Sequence, residues 1–348
     1  MNNKSKMALQ KLGWNQEWEE KLNEYDGSYD IGRIGIQHRD IYKIYTEKGE
    51  ILGEVSGKMK YENTTKEDYP AVGDWVIIDR VDPQKGNALI HGILKRKSKF
   101  SRKVAGGKSD EQIVAANIDK VFICMSLNKD FNLRRLERYL TMAWESGANP
   151  VMVLTKSDLC HDIDNMVEEV NTVAFGVPIV VISSVTGKGI DKINEYVKEG
   201  ETIALLGSSG VGKSTLINQL LGEEKLLTKE VRESDDRGRH TTTHRELIVL
   251  NTGGVIIDTP GMREFHILDS SSGINNAFND IEELALNCKF NDCKHATEPD
   301  CAVKKAIEEG LISQKRFKNY LHLKREAKYM EKKAKLKEMK RNKRKKSK

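Results

Sequence analysis

The sequence predicts a multidomain chain: a small OB-like β-barrel, an α/β domain built around a phosphate-binding loop, and a mainly helical end that holds a metal ion. Three observations carry this reading. Short alternating strands broken by turn residues fill residues 30–103. Continuous apolar strands then alternate with helical stretches up to residue 265, and Gly207-x-x-x-x-Gly212-Lys213-Ser214 lies among them. Cys288, Cys293, His295 and Cys301 crowd into fourteen residues near the end. The expected domains are an extension over 1–29, the barrel over 30–103, the α/β domain over 104–265 and the metal-binding domain over 266–348.

The chain of 348 residues has room for two or three cores. Charged residues make up 32% and no run approaches the roughly 20 apolar residues needed to span a bilayer. The start, Met1-Asn-Asn-Lys-Ser-Lys6, lacks the apolar centre of a signal peptide, so a cytoplasmic protein with no membrane partner is expected. Five cysteines, an odd count, argue against a disulfide framework. Charge is unevenly spread. Residues 315–348 hold 17 Lys or Arg against three Glu, a net of +14 in a chain whose total is +6. Such a concentrated basic segment suits a polyanion, and rRNA is the expected one.

In the extension, Leu9, Leu12, Trp14, Trp18 and Leu22 suggest one short amphipathic helix. Barrel strands are expected at Gly32–Gln37, Asp40–Thr46, Ile51–Val55 and Asp74–Asp79, with clear alternation from Ile41 to Thr46. About five such strands in roughly 70 residues suit an OB-fold. Residues 95–109 are basic and rich in Gly and Ser, and read either as a solvated linker or as a strap facing RNA. The α/β domain is expected to run through strand Val121–Ser126, helix Leu133–Ser146, strand Pro150–Leu154, helix 163–174, strand Val177–Ser183 and helix Ile190–Val197. Strand Ile203–Leu206, the glycine loop and a helix through Leu221 follow, then a hairpin of Glu246–Leu250 and Gly254–Ile257. Apolar strands separated by helices imply a largely parallel sheet.

Gly207, Ser208, Ser209, Gly210, Val211, Gly212, Lys213, Ser214 and Thr215 form a P-loop in the strand–turn–helix context that gives the motif its meaning. Glycines let backbone N–H groups close on phosphate oxygens, and the helix directs its positive end at the same anion. Lys213 is expected on the β- and γ-phosphates and the Ser214 hydroxyl on Mg²⁺. Asp258-Thr-Pro-Gly261 follows an apolar strand: Asp258 is a second Mg²⁺ candidate, and Gly261 can offer its N–H to the γ-phosphate. Thr155-Lys156-Ser157-Asp158 is similar to the Asn-Lys-x-Asp guanine motif, with Thr in place of Asn. A carboxylate accepts from guanine N1–H and the exocyclic amine but repels adenine N1, and losing such paired bonds in a buried site discriminates by about 10⁴- to 10⁵-fold. Ser183-Ser184-Val-Thr-Gly-Lys-Gly189 fits the loop that meets guanine O6. The base-reading motifs precede the P-loop, the reverse of the ordinary order, so the domain is expected to be a circularly permuted GTPase domain.

The permuted order, the preceding barrel and the following cysteine cluster together resemble the bacterial ribosome small-subunit-dependent GTPase A family. Pro70-Ala-Val-Gly-Asp-Trp-Val76, Gly238-Arg-His-Thr-Thr-Thr243 and Asp258-Thr-Pro-Gly-Met-Arg-Glu-Phe265 match that family's signatures, over roughly residues 30–320. The resemblance implies a monomeric GTPase that binds the small (30S) ribosomal subunit and its rRNA, assists late maturation, hydrolyses GTP to GDP slowly and is stimulated by the subunit. It also implies that His240 orients the attacking water, since Met262 stands where a water-orienting Gln sits in Ras-like proteins. Thr242, within the run of threonines at 241–243, is a candidate to complete the Mg²⁺ shell. Cys288, Cys293, His295 and Cys301 supply three thiolates and an imidazole, the ligand set of a closed structural Zn²⁺ site, one per chain; the family carries zinc at the matching positions. Beyond them, helical spacing is expected from Lys304 to about Lys340, with the last nine residues outside regular structure. An RNA-binding assembly scaffold with a purely regulatory nucleotide site is the alternative, and an ATP-dependent enzyme is disfavoured by Asp158.

Overall fold

The computed structural model describes residues 3–25, 29–63, 65–103, 111–223, 245–258 and 271–346. They belong to two compact units: one of residues 1–131, 147–163 and 178–265, the other of 132–146, 164–177 and 266–348. No helix among the described residues is long and apolar enough to cross a membrane.

The first unit opens with two helices, α1 (Asn3–Lys11) and α2 (Gln16–Leu22), where the sequence suggested one. Gly13, at φ +91°, breaks the run, and Asn15 starts α2 by accepting from Trp18 N. The apolar residues of the pattern still face inward: Leu9, Leu12, Trp14 and Trp18 are all buried. Both tryptophans meet Trp75, with ring centroids 4.8 Å and 6.2 Å away.

Five strands then close a barrel: β1 (Asp30–Gln37), β2 (Tyr42–Thr46), β3 (Gly49–Val55), β4 (Trp75–Ile78) and β5 (Ala88–Ile93). Neighbours run β1–β2–β3–β5–β4 and back to β1, with β3–β5 the one parallel pair. Closure removes the edges an open small sheet would expose. Tyr42, Ile44 and Thr46 face in while Lys43 and Tyr45 are half-buried, so the alternation is real. Helix α3 (Gly57–Glu62), capped by Ser56, sends Met59 into the barrel core beside Ile44, Ile51, Val76 and Ile90.

Residues 95–109 are not simply a linker. β6 (Lys99–Lys103) pairs with β7 (Glu111–Ala116) in a two-stranded sheet. The pair folds because Phe100 of β6 and Ile113, Val114 and Ala115 of β7 are buried.

The α/β sheet takes the order β10 (Ile179–Val181), β9 (Asn149–Thr155), β8 (Lys120–Ser126), β11 (Thr202–Leu206), β13 (Val255–Asp258) and β12 (Glu246–Val249). All pairs are parallel except β12–β13. Strand β11 is central, with the strands that precede it in sequence on one side and those that follow on the other. A chain whose P-loop strand came first would build the same sheet by moving its ends, so the domain is a circularly permuted P-loop fold. Leu216, Ile217, Leu220 and Leu221 of α7 (Lys213–Leu221), with Ile193 of α6 (Ile190–Asn194), pack on Phe122, Val153, Ile182 and Leu205. One register pair, Ile36 with Glu246, joins the barrel to the edge strand β12.

Arg33 on β1 knits this unit together. Its guanidinium donates to the carbonyls of Leu12, Gly73 and Asn117 and to Thr202 Oγ1, and lies 5.3 Å from the Trp75 ring centre. Burial pulls it down to about 10, against the pull of Asp119 and Asp74.

The second unit contains α4 (Leu133–Ser146), α5 (Ile163–Asn171, counted from Asp164), α8 (Ser271–Ala277), α9 (Asn279–Ala285), α10 (Ala302–Glu308) and α11 (Gln314–Lys346). The expected continuous helix from Lys304 is interrupted after Glu308, where Gly310 adopts φ +76°. Its successor extends to Lys346, beyond the expected end, because the run of Lys, Arg and Glu contains no Gly or Pro to stop it. Arg316 on α11 ties the unit together. It donates to Asp280 at 2.7 and 2.8 Å, to Glu137 at 2.8 Å and to the Ala277 carbonyl at 3.0 Å. Glu137, wholly buried on α4, also accepts from Arg134 at 2.7 Å and Asn319 at 2.5 Å.

Candidate functional site

The carboxyl ends of parallel strands are where α/β sheets bind ligands. Four expected motifs leave such ends: Thr155–Asp158 from β9, Ser183–Gly189 from β10, Gly207–Gly212 from β11 and Asp258 from β13.

Gly207 must be glycine because a Cβ there would lie 2.6 Å from the Cys124 carbonyl on the neighbouring strand. Burial of Cys124 pushes its thiol up to about 12, so this sulfur is an inert wall under the loop. Gly212, at φ +105°, turns the chain into α7. Lys213 Nζ donates to the carbonyls of its own loop, Gly207 at 2.9 Å and Ser208 at 2.7 Å, so the ammonium already stands over the cradle. Ser208, Ser209, Gly210, Val211, Ser214 and Thr215 lie along the same loop and first helical turn, with Val211 buried beneath it. Burial holds the Asp258 carboxyl above its usual range, and the Lys213 charge offsets this only in part.

The Thr155 hydroxyl donates to the Val211 carbonyl at 2.6 Å, from a buried side chain. Thr in place of Asn therefore straps the Thr155–Asp158 segment to the P-loop. Lys156 sits at φ +58° and swings the chain so that Ser157 is buried and Asp158 is exposed. Asp158 Oδ1 accepts from Ser183 Oγ at 2.5 Å, and the same hydroxyl accepts from Thr186 N at 3.2 Å. Ser157 N donates to Ile182 O at 3.1 Å, and Ser184 O accepts from Gln219 Nε2 at 2.7 Å. The Thr155–Asp158 and Ser183–Gly189 segments and the P-loop with its helix thus meet through side-chain hydrogen bonds. No sequence signal points to Gln219, one of several polar residues of α7.

His240, Thr242 and Gly261 lie outside the described residues.

In the second unit the ligand atoms of Cys288, Cys293, His295 and Cys301 all lie within 4.8 Å of one another. A tetrahedral zinc with Zn–S near 2.3 Å and Zn–N near 2.0 Å sets S···S at about 3.8 Å and S···N at about 3.6 Å. Cys288 and Cys301 Sγ are 3.8 Å apart, and His295 Nδ1 stands 3.6 Å and 3.3 Å from them. Burial, helped by Lys324, lowers His295 and favours the neutral imidazole that can ligate. The cluster therefore fits one metal ion with no position left over for substrate.

A family model described as RsgA GTPase matches residues 93–268. The chain belongs to the RsgA GTPase family. It is a GTPase. A second model, described as a 50S ribosome-binding GTPase, matches residues 202–346. Over 299 residues the chain is 50% identical to small ribosomal subunit biogenesis GTPase RsgA 2 of Lactiplantibacillus plantarum, covering 86% of this chain and 84% of that one. It is 48% identical to RsgA 1 of Oceanobacillus iheyensis, covering 89% and 88%. The crystal structure of YjeQ from Thermotoga maritima superposes with a TM-score of 0.65 at 28% identity, over 86% of this chain and 99% of that one. YloQ, described as a circularly permuted GTPase, gives 0.62 at 23% identity, over 86% and 96%, and supports the fold.

Proposed function

We propose that this GTPase acts in maturation of the small ribosomal subunit, binding the subunit and its rRNA as a cytoplasmic monomer and hydrolysing GTP slowly until the subunit stimulates it. The observation that carries the nucleotide part is the exposed Asp158 carboxylate, oriented by Ser183 and joined through Thr155 to the P-loop. The relatives' names carry the ribosomal part, and the basic α11 supplies a surface that suits rRNA.

In this reading the amides of Gly207 to Thr215 and Lys213 bind the phosphates. Ser214 and Asp258 offer hard oxygen donors that suit Mg²⁺, which when bound neutralises charge on the β- and γ-phosphates. Gly261 would contact the γ-phosphate, Thr242 would add an oxygen ligand for Mg²⁺ and His240 would orient water. Lys156, Ser157, Asp158, Ser183 and Ser184 surround guanine. Catalysis is positioning and charge stabilisation. Cys288, Cys293, His295 and Cys301 hold a structural Zn²⁺, and the domains divide near 30, 104 and 266.

GTP turnover with and without purified small subunits tests this, with ATP and large subunits as controls. Stimulation by small subunits alone is expected, and equal rates throughout would overturn the proposal. Stimulation by large subunits alone would favour the partner named by the model over 202–346. GTP binding without turnover in any arm would favour a scaffold with a regulatory nucleotide site. Ser214→Ala is expected to abolish turnover.

A further inference from the structure

The loop that reads the base is fastened to the phosphate-binding helix by a side chain outside every motif. Gln219 lies near the end of α7, and its Nε2 donates to the Ser184 carbonyl at 2.7 Å. A carbonyl oxygen needs a donor, so the amide nitrogen must face it. The other amide atom, Oε1, is buried and accepts from no group among the described residues, so this single bond fixes the amide's orientation. Leu216 and Leu220 on either side of Gln219 are buried in the core, which holds the helix itself still.

At 1.5 Å per residue, Gln219 is about 9 Å along the helix from Lys213. One short rod thus carries the phosphate lysine on its first turn and the clamp on the base loop near its last. On the loop side, Ser184 adjoins Ser183, whose hydroxyl orients the Asp158 carboxylate. A trans peptide sets C=O and N–H in opposite directions. Pinning the Ser184 carbonyl to α7 therefore also fixes the direction of the next backbone N–H in the loop that meets guanine O6.

We propose that Gln219 is a positioning residue for guanine recognition, holding the base loop at a fixed distance from the phosphate cradle. It touches neither base nor phosphate, and acts through the Ser184 carbonyl. The inference rests on the guanine-nucleotide reading above. Without the amide donor the loop loses its registration to the rod while the P-loop stays intact. The phosphates should then bind as before and the base less well.

The test is competition of GDP and of ADP against a fluorescent guanine nucleotide, on the full chain, for wild type, Gln219→Met and Gln219→Glu, with the Tm of each. Methionine keeps length and volume but donates nothing; glutamate sets a carboxylate against the carbonyl and provides a second variant should the first fold poorly. One net hydrogen bond corresponds to a loss of about 2- to 10-fold in GDP affinity for the methionine variant. ADP affinity should be unchanged, so that guanine selectivity falls by the same factor, and the glutamate variant should lose at least as much. KM for GTP should rise with kcat within about twofold. Equal losses for GDP and ADP would show a merely structural role and overturn the proposal, as would unchanged GDP affinity in both variants. A wild-type protein with no preference for GDP over ADP would overturn the nucleotide reading, and the inference with it.

Discussion

Arg33 and Arg316 are both buried, yet their surroundings are opposite. Arg33 is met by three backbone carbonyls, a hydroxyl and an aromatic ring, with Asp119 and Asp74 only nearby. Its charge is solvated by dipoles and burial pulls its affinity for the proton down to about 10. For Arg316, burial pulls the same way, but Asp280 and Glu137 outweigh it and hold the group above its ordinary range. The difference teaches how each unit is held. The first is a packed body in which one arginine donates to the carbonyls of Leu12, Gly73 and Asn117 and to the Thr202 hydroxyl at the foot of the P-loop strand. The second, whose regular elements are all helices among the described residues, relies on a carboxylate–arginine knot, with the cluster of Cys288, Cys293, His295 and Cys301 in the same unit.

Four experiments would break or sharpen that contrast, from the largest expected effect to the smallest. Stripping the metal with a strong chelator is expected to unfold the second unit selectively, since apparent zinc-binding energies of structural sites reach about 10–16 kcal/mol. Limited proteolysis should then cut between residues 271 and 346 while residues 30–103 stay protected; uniform cleavage would abolish the distinction. Arg316→Met leaves Glu137 buried with only Arg134 and Asn319, and is expected to cost about 3 kcal/mol, the lower end for a broken buried ion pair, by denaturant titration. Arg33→Met removes the guanidinium donor from the Leu12 and Asn117 carbonyls, while Gly73 keeps Asn117 Nδ2, and strands no charge, so a loss of about 1–3 kcal/mol is expected. A larger loss than for Arg316→Met would reverse the comparison. Thr155→Val removes one hydrogen bond between the base-reading segment and the P-loop, at about 1 kcal/mol, or roughly fivefold in GDP affinity by calorimetry.

The sequence displayed those parts whose logic is local. The P-loop declares itself because strand, glycines and lysine are consecutive; Tyr42 to Thr46 alternate because they form half of a barrel wall; Leu133–Ser146 is helical as its spacing predicts. Partners far apart in the chain were hidden. Nothing near Arg33 shows that Thr202 will accept from it, nothing near Glu137 points to Arg316, and Gln219 looks like any polar residue on a helix. The β6–β7 pair is hidden for a related reason: β6 (Lys-Phe-Ser-Arg-Lys) shows one apolar residue among polar ones, and Phe100 finds cover only in the tertiary structure. Likewise Thr155 was read as a departure from a motif, and only the position of the Val211 carbonyl shows what its hydroxyl does.

The reach of strand β1 has a consequence for how the chain folds as it is made. Its register with β12 joins Ile36 to Glu246, 210 residues later, and its arginine, with Leu12 already made, waits for acceptors at Gly73, Asn117 and finally Thr202. At about 5–20 residues per second, synthesis of the intervening chain takes roughly 10–40 s. Over that interval a nascent barrel carries a guanidinium whose last acceptor does not yet exist, and a strand margin whose final neighbour is still unwritten. The barrel's surroundings are therefore complete only once β12, which follows the P-loop strand in the chain, has emerged.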